Sequence, residues 1–178
     1  MKNCITAILV LLLLLAGCRG QRDKPRSGTA LINNELFGSG PYYSFGFSFD
    51  LADKVSTLGN PGPDFSVEAG VIPGGSVVVP FLSANTLEPS FGLYGEYGSE
   101  NEAVTIFNGL TSFGTLTWQD MGAPLRSNQV WIIRTGAGNF AKIRTIEVLL
   151  DEGATPPFSS CKFQWVYQPD GTSIFPAP

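Results

Sequence analysis

The sequence of 178 residues has no histidine, three cysteines and two methionines. Without an imidazole there is no ordinary general base at neutral pH, no serine or cysteine triad, and few routes to a zinc site. Cys4 and Cys18 lie near the N-terminus, so Cys161 is the lone cysteine of the remainder and has no disulfide partner there. It reads as a small buried hydrophobe, with a reactive thiol or a metal ligand as the alternative. Charged residues are few and unevenly placed. Arg19, Arg22, Lys24 and Arg26 against Asp23 give a net charge of +3, whereas from Ser27 onward six basic residues face fourteen acidic ones, a net of −8. An acidic globule lacks the basic face that nucleic-acid phosphates require, so nucleic acid is not an expected partner.

No apolar run reaches the roughly 20 residues needed to span a bilayer. The N-terminus instead has the plan of a secretory signal: a charged start at Met1-Lys2-Asn3, an apolar stretch through Leu15, and small residues before a cysteine. Leu15-Ala16-Gly17-Cys18 matches a lipobox, the processing site of bacterial lipoproteins. Small residues let an extended chain enter a narrow peptidase site, and the Cys18 thiol is a soft nucleophile for thioether formation with diacylglycerol. The expectation is cleavage between Gly17 and Cys18, and a diacylglyceryl cysteine carrying a further acyl chain such as palmitate. Buried methylenes contribute about 0.8 kcal/mol each, so several chains anchor where one holds only marginally. Arg19 is not the aspartate associated with inner-membrane retention, which favours the outer membrane, on either its periplasmic or its outer side. The basic leader suits anionic head groups, or serves as a plain solvated linker.

Residues 1–17 are therefore read as signal peptide, 18–28 as lipidated cysteine and flexible leader, and 29–178 as one domain long enough to bury its own core. Patterning in that domain is mostly β. Tyr43, Phe45, Phe47 and Phe49 alternate with Ser44, Gly46 and Ser48, a period of two that a helix cannot produce. Phe65–Val67 and Val77–Val79 are short strand candidates broken by Pro61-Gly62-Pro63, Pro73-Gly74-Gly75 and Pro80. Val130–Thr135 and Phe140–Leu150 flank Gly136-Ala137-Gly138-Asn139, a hairpin signature. Cys161, Phe163, Trp165 and Tyr167 form one strand face, and Pro169-Asp170-Gly171 turns the chain into a last strand at Ser173-Ile174-Phe175. Ser99 with Glu102 has capping-box spacing. Ala103, Ile106, Phe107 and Leu110 follow at helical spacing, with Asn108-Gly109 as the stop, which predicts one amphipathic helix over Glu100–Asn108. The expected fold is an all-β antiparallel sandwich or flattened barrel with that helix packed on it.

Catalytic chemistry is thin. Asp50 with Asp53, or Glu100 with Glu102, are the carboxylate pairs from which a glycan hydrolase would have to be built, since such enzymes set two carboxyls about 5–10 Å apart. Turn formation and helix N-terminal charge explain the same residues without catalysis. Asp151-Glu152 with Asp170 lacks the spacing of a dedicated calcium loop. The expectation is a non-enzyme with no required cofactor or metal.

The run Asn128-Gln129-Val130-Trp131-Ile132-Ile133-Arg134-Thr135-Gly136, followed by Gly138-Asn139-Phe140-Ala141-Lys142-Ile143-Arg144, resembles a segment of HmuY-type lipoproteins. Phe163-Gln164-Trp165-Val166-Tyr167-Gln168-Pro169-Asp170-Gly171 is similar to that family's closing hairpin. Together the two segments cover about a quarter of the chain. The resemblance implies a β-rich domain anchored at the outer membrane of a Gram-negative bacterium, and, in several such proteins, haem held between loops. Their iron is ligated by paired histidines or methionines, and this chain departs from that pattern: Met121 is the only methionine after the signal. A pairing of Met121 with a tyrosine or with Cys161 is the remaining route to haem.

Two further readings stand beside haem. One is a module for another apolar, planar, peptide or glycan ligand, using glycine-flanked aromatics: Tyr42, Tyr43, Phe91, Tyr94, Tyr97 and Trp118, with Met121 nearby in sequence. The other is a structural or assembly subunit of the envelope, which would need an open strand edge or apolar patch. The sequence does not fix the oligomeric state.

Overall fold

A computed structural model describes residues 24–40, 43–84, 86 and 88–176. Gly17, Cys18, Arg19, Arg22 and Tyr42 lie outside the described residues. In chain order the elements are β1 (Ser27–Asn33), β2 (Phe45–Ser48), β3 (Asp53–Ser56), β4 (Ser66–Val71), β5 (Val78–Ser83) and β6 (Phe91–Glu96). There follow α1 (Glu100–Gly109), β7 (Trp118–Gln119), β8 (Met121–Gly122), β9 (Gln129–Arg134), β10 (Phe140–Asp151) and β11 (Phe158–Gln168). A six-stranded sheet has the order β1-β11-β10-β9-β6-β7, a three-stranded sheet the order β4-β5-β8, and β2 pairs with β3. The named ladders are all antiparallel, and the large sheet stays open rather than closing into a barrel. The protein is an all-β sandwich with one short helix. β1 takes in Ser27 and Gly28, which the sequence assigns to the leader.

Period-two alternation builds the core directly. On β10 and β11, Ala141, Ile143, Cys161, Phe163, Trp165 and Tyr167 face the smaller sheets, where Phe47, Phe49, Phe65, Val67 and Leu82 meet them. Phe47 lies 5.3 Å from both the Phe163 and Trp165 rings, centroid to centroid. The opposite face of the large sheet carries Val130 and Ile132 of β9 and Val166 of β11, covered by Phe107, Leu110 and Phe175. A bulge between Thr145 and Glu147 resets the phase, so that Val148 again faces inward beside Cys161. Pushed up to about 12 by burial, the Cys161 thiol stays protonated.

The helix starts as the sequence predicts. The Ser99 hydroxyl accepts from the Glu102 amide at 3.3 Å, and the helix buries Ala103 and Phe107. Its end differs. Gly109 is the last helical residue and does not take a left-handed turn; the Leu110 amide bonds Ile106 O at 2.9 Å. Lys142, buried on β10, donates to the carbonyls of both Phe107 and Leu110 at 2.7 Å.

Two strand expectations also change. Ser173–Phe175 forms no ladder beyond one bridge, Ser112 to Ile174, because β11 already has β1 on one side and β10 on the other. Phe175 packs on the helix side instead. Pro80 does not end a strand but sits within β5, opposite Ala69. Its nitrogen points to the β8 side, where pairing begins only at Leu82, and its carbonyl on that side accepts from Leu125 N at 2.8 Å. The missing N–H therefore breaks no ladder bond.

Candidate functional site: an exposed aromatic tip

Beyond β1 the chain makes a tight loop that brings three exposed rings together. Phe37, Tyr43 and Phe45 are 48%, 38% and 40% exposed, values unusual for rings in a domain with so large a core. Phe37 lies between the other two, 5.5 Å from Tyr43 and 4.8 Å from Phe45, with interplanar angles of 61° and 47°. The rings form an angled cluster, not a flat platform. The Phe37 amide donates to Tyr43 O at 2.7 Å and closes the loop. The Tyr43 ring then lies directly on Gly38 and Gly40; a side-chain carbon at Gly38 would stand 2.5 Å from Tyr43 Cδ1. Only glycine permits so close an approach.

The base of the tip is pinned. Asn34 is buried; its Nδ2 donates to Pro157 O at 2.9 Å and its Oδ1 accepts from Ser159 N at 2.8 Å. Between the two outer rings, Ser44 O accepts from Thr57 N and from Thr57 Oγ1, each at 3.0 Å. The apolar faces are thus presented on a backbone tied down from both sides, which lowers the ordering cost of binding. Of the aromatics singled out in the sequence, Tyr43 belongs to this site and Tyr42, its neighbour, lies outside the described residues. Phe37 and Phe45 were missed. Phe45 looks like part of an inward-facing stripe, and Phe37 has no pattern around it beyond the glycines that follow.

The remaining candidates lie elsewhere. Tyr97 is half-buried against the helix-side cluster, its ring over Gly95. Trp118 packs edge-on to Phe113, with the Arg134 guanidinium 5.3 Å from its ring centre. Arg134 is itself fixed by Pro89 O at 2.7 Å. Phe91 is buried in the main core. Met121 belongs to β8 in the three-stranded sheet, paired with Ser83, while Trp118 three residues before it pairs with the large sheet. Tyr94 is 41% exposed and lines a pocket beside α1.

The carboxylates take structural partners. Asp50 pairs with Lys24 at 3.2 Å and Glu100 with Arg144 at 3.5 Å. Asp151 and Asp170 each accept a backbone amide two residues on, and stand at opposite ends of the β10–β11 pair, too far apart to share an ion. Among the described residues no group of three or more histidines, cysteines or carboxylates is placed to hold a metal. Asp64, which sequence reasoning passed over, has its pKa raised, chiefly by burial; the Phe49 amide bond at 2.7 Å opposes that shift and the Asp50 charge adds to it. Its carboxylate serves the turn after β2. Comparison with protein-family models and with curated proteins finds no match to this chain.

Proposed function

We propose that this chain is a lipid-anchored outer-membrane lipoprotein whose β-sandwich is a non-catalytic binding module, with Phe37, Tyr43 and Phe45 as the binding element. The observation that carries this reading is three solvent-facing rings, Phe37 packed against both Tyr43 and Phe45, on a pinned loop. Rings of that kind supply most of the energy in recognition sites while losing little side-chain freedom.

The direction of β1 supports it. Cys18 stands six residues before Lys24, and Lys24 pairs with Asp50 just beyond the end of β2. From there β1 runs seven residues, about 20 Å at 3.3 Å per residue, before the chain reaches the tip, and β2 returns from Phe45 toward Asp50. The Lys24 end of β1 and the rings accordingly stand at opposite ends of the strand. A lipid attached on the Lys24 side leaves the tip facing a partner rather than the bilayer. The acidic globule favours a neutral or cationic ligand over a polyanion. Haem follows only from the resemblance to HmuY-type lipoproteins; the buried Cys161 thiol offers it no thiolate.

Haem titration followed at the Soret band, together with a glycan array, tests the module. The variant with Phe37→Ser, Tyr43→Ser and Phe45→Ser should weaken, by at least about tenfold, a ligand that the parent binds and that Tyr94→Ala still binds, while keeping its fold because the rings lie outside the core. Retention of every such ligand by the tip variant would remove the tip from the site.

A further inference from the structure

We infer that the pocket beside Tyr94 is a separate binding site for one neutral sugar unit. It has a volume of about 250 Å³ and lies between β6 and the C-terminal half of α1. Beside it the β6 ladder has a bulge between Leu93 and Gly95. Leu93 pairs with Trp131 and Gly95 with Val130, so Tyr94 is the extra residue that the ladder leaves over. Alternation from Leu93, which faces the core, puts the Tyr94 ring on the helix side, and the bulge leaves it without a ladder partner there, 41% exposed.

The walls decide the ligand class. Tyr94 supplies a ring face, Ile106 an aliphatic patch, and Thr105, Thr111 and Ser112 three hydroxyls; none of the lining residues is charged. A pyranose has the complementary surface, with C–H groups on its faces and hydroxyls around its edge. The Thr105 hydroxyl already donates to Asn101 O at 2.8 Å, which leaves its oxygen as an acceptor. Thr111 and Ser112 are exposed but fixed through their backbones: Thr111 O accepts from Phe175 N at 2.8 Å, and Ser112 bridges Ile174. A helix C-terminus ordinarily draws a cation. Here Lys142 already holds the Phe107 and Leu110 carbonyls from the buried side, so an ammonium or metal ligand has little to gain. An anion would face the negative end of the helix. The volume is below the about 300–1,000 Å³ of drug-sized ligand sites, which suits a single ring of a glycan and is too small for haem.

The test is calorimetry on the full-length chain in detergent, with cellotriose, maltotriose, xylotriose and triacetylchitotriose as probes. At least one should bind, weakly, and Tyr94→Ala should weaken it by about tenfold or more. Gly109→Phe is the second variant: a Cβ at Gly109 meets nothing within 4 Å, so the new ring can enter the pocket without displacing backbone. It should block the same probe while leaving the thermal transition in place. The triple tip variant should bind that probe like the parent, which keeps failure here distinct from failure of the tip. No binding by any probe, binding unchanged in Tyr94→Ala and Gly109→Phe, or loss only in the tip variant overturns the proposal.

Discussion

The ammonium of Lys142 lies 2.7 Å from the carbonyl oxygen of Leu110, and so caps a helix from the strand beneath it. The Phe107 carbonyl is equally close, and the Phe107 and Phe175 rings stand 4.7 and 5.5 Å from the nitrogen. Two of the orphan carbonyls that every helix leaves at its end are satisfied by one residue more than thirty positions away.

Replacing Lys142 with methionine keeps the stem and removes the donors. Each buried carbonyl left unpaired costs about 1–3 kcal/mol, offset in part by the relief of no longer burying a charge. We expect Lys142→Met to lose about 1–3 kcal/mol at pH 7 in urea titrations. The pH dependence is the sharper readout. Burial pulls the Lys142 pKa down to about 8 from its ordinary 10.5. Between those values the unfolded chain holds this proton and the folded chain does not, so stability rises with pH there. Below pH 8 the folded state carries the full cost of the buried charge. The parent should gain stability relative to Lys142→Met as pH rises from 8 toward 10.5; parallel curves would refute the assignment.

Gly46 is the tightest point of the β2–β3 pair. A methyl group there would press into the Phe65 carbonyl oxygen and stand 2.5 Å from Pro63 Cβ. The segment 63–65 therefore lies flat against this face of β2, which explains why both faces of the strand are covered although its sequence alternates. Overpacking of this kind costs about 1–3 kcal/mol. Gly46→Ala should fall in the upper half of that range by thermal unfolding, and a neutral result would mean that the segment does not close on β2.

Most of the large sheet is legible in the sequence. The Cys161, Phe163, Trp165, Tyr167 stripe and the Gly136–Asn139 turn define β9, β10 and β11 because the ladder partners are local and every second residue faces one core. Position beyond those strands is not legible. That β1 takes the edge of β11 rests on pairing Ser27 with Val166, a contact across most of the chain that no local pattern encodes. The same holds for Lys142: in sequence it is one polar residue on an alternating strand, and only the placement of α1 over it makes it a cap. At the tip, exposure is the informative quantity. Phe45 and Phe47 look alike in the sequence, yet one is 40% exposed and the other 2%, because Phe47 packs among Phe49, Phe65, Phe163 and Trp165 whereas Phe45 lies against the exposed Phe37 ring.

Cys161 should be chemically silent. Its folded pKa of about 12 against an ordinary 9.0 leaves about a thousandfold less thiolate at pH 8, and the thiolate is the reactive form. Iodoacetamide at pH 8 should leave Cys161 unlabelled in the native protein and label it fully in urea, with mass spectrometry reporting the site. Prompt native labelling would show that this part of the core opens.

The anchor has its own test, one in which lipid and leader make different contributions. If Cys18 carries acyl chains, membrane retention rests on buried methylenes at about 0.8 kcal/mol each, and salt has little effect on it. If the leader holds the protein, retention rests on basic residues worth about 1 kcal/mol apiece near anionic lipid, and it weakens as salt shortens the screening length. We expect the parent protein, expressed in a Gram-negative host with labelled palmitate, to take up label and to stay with membranes through a molar-salt wash. Cys18→Ser should take up none. Substituting Arg19, Arg22, Lys24 and Arg26 by serine should leave both label and salt-resistant retention intact. Release of the parent by salt, or labelling of Cys18→Ser, would move the attachment away from Cys18, and the polarity argued for the tip along β1 would fall with it.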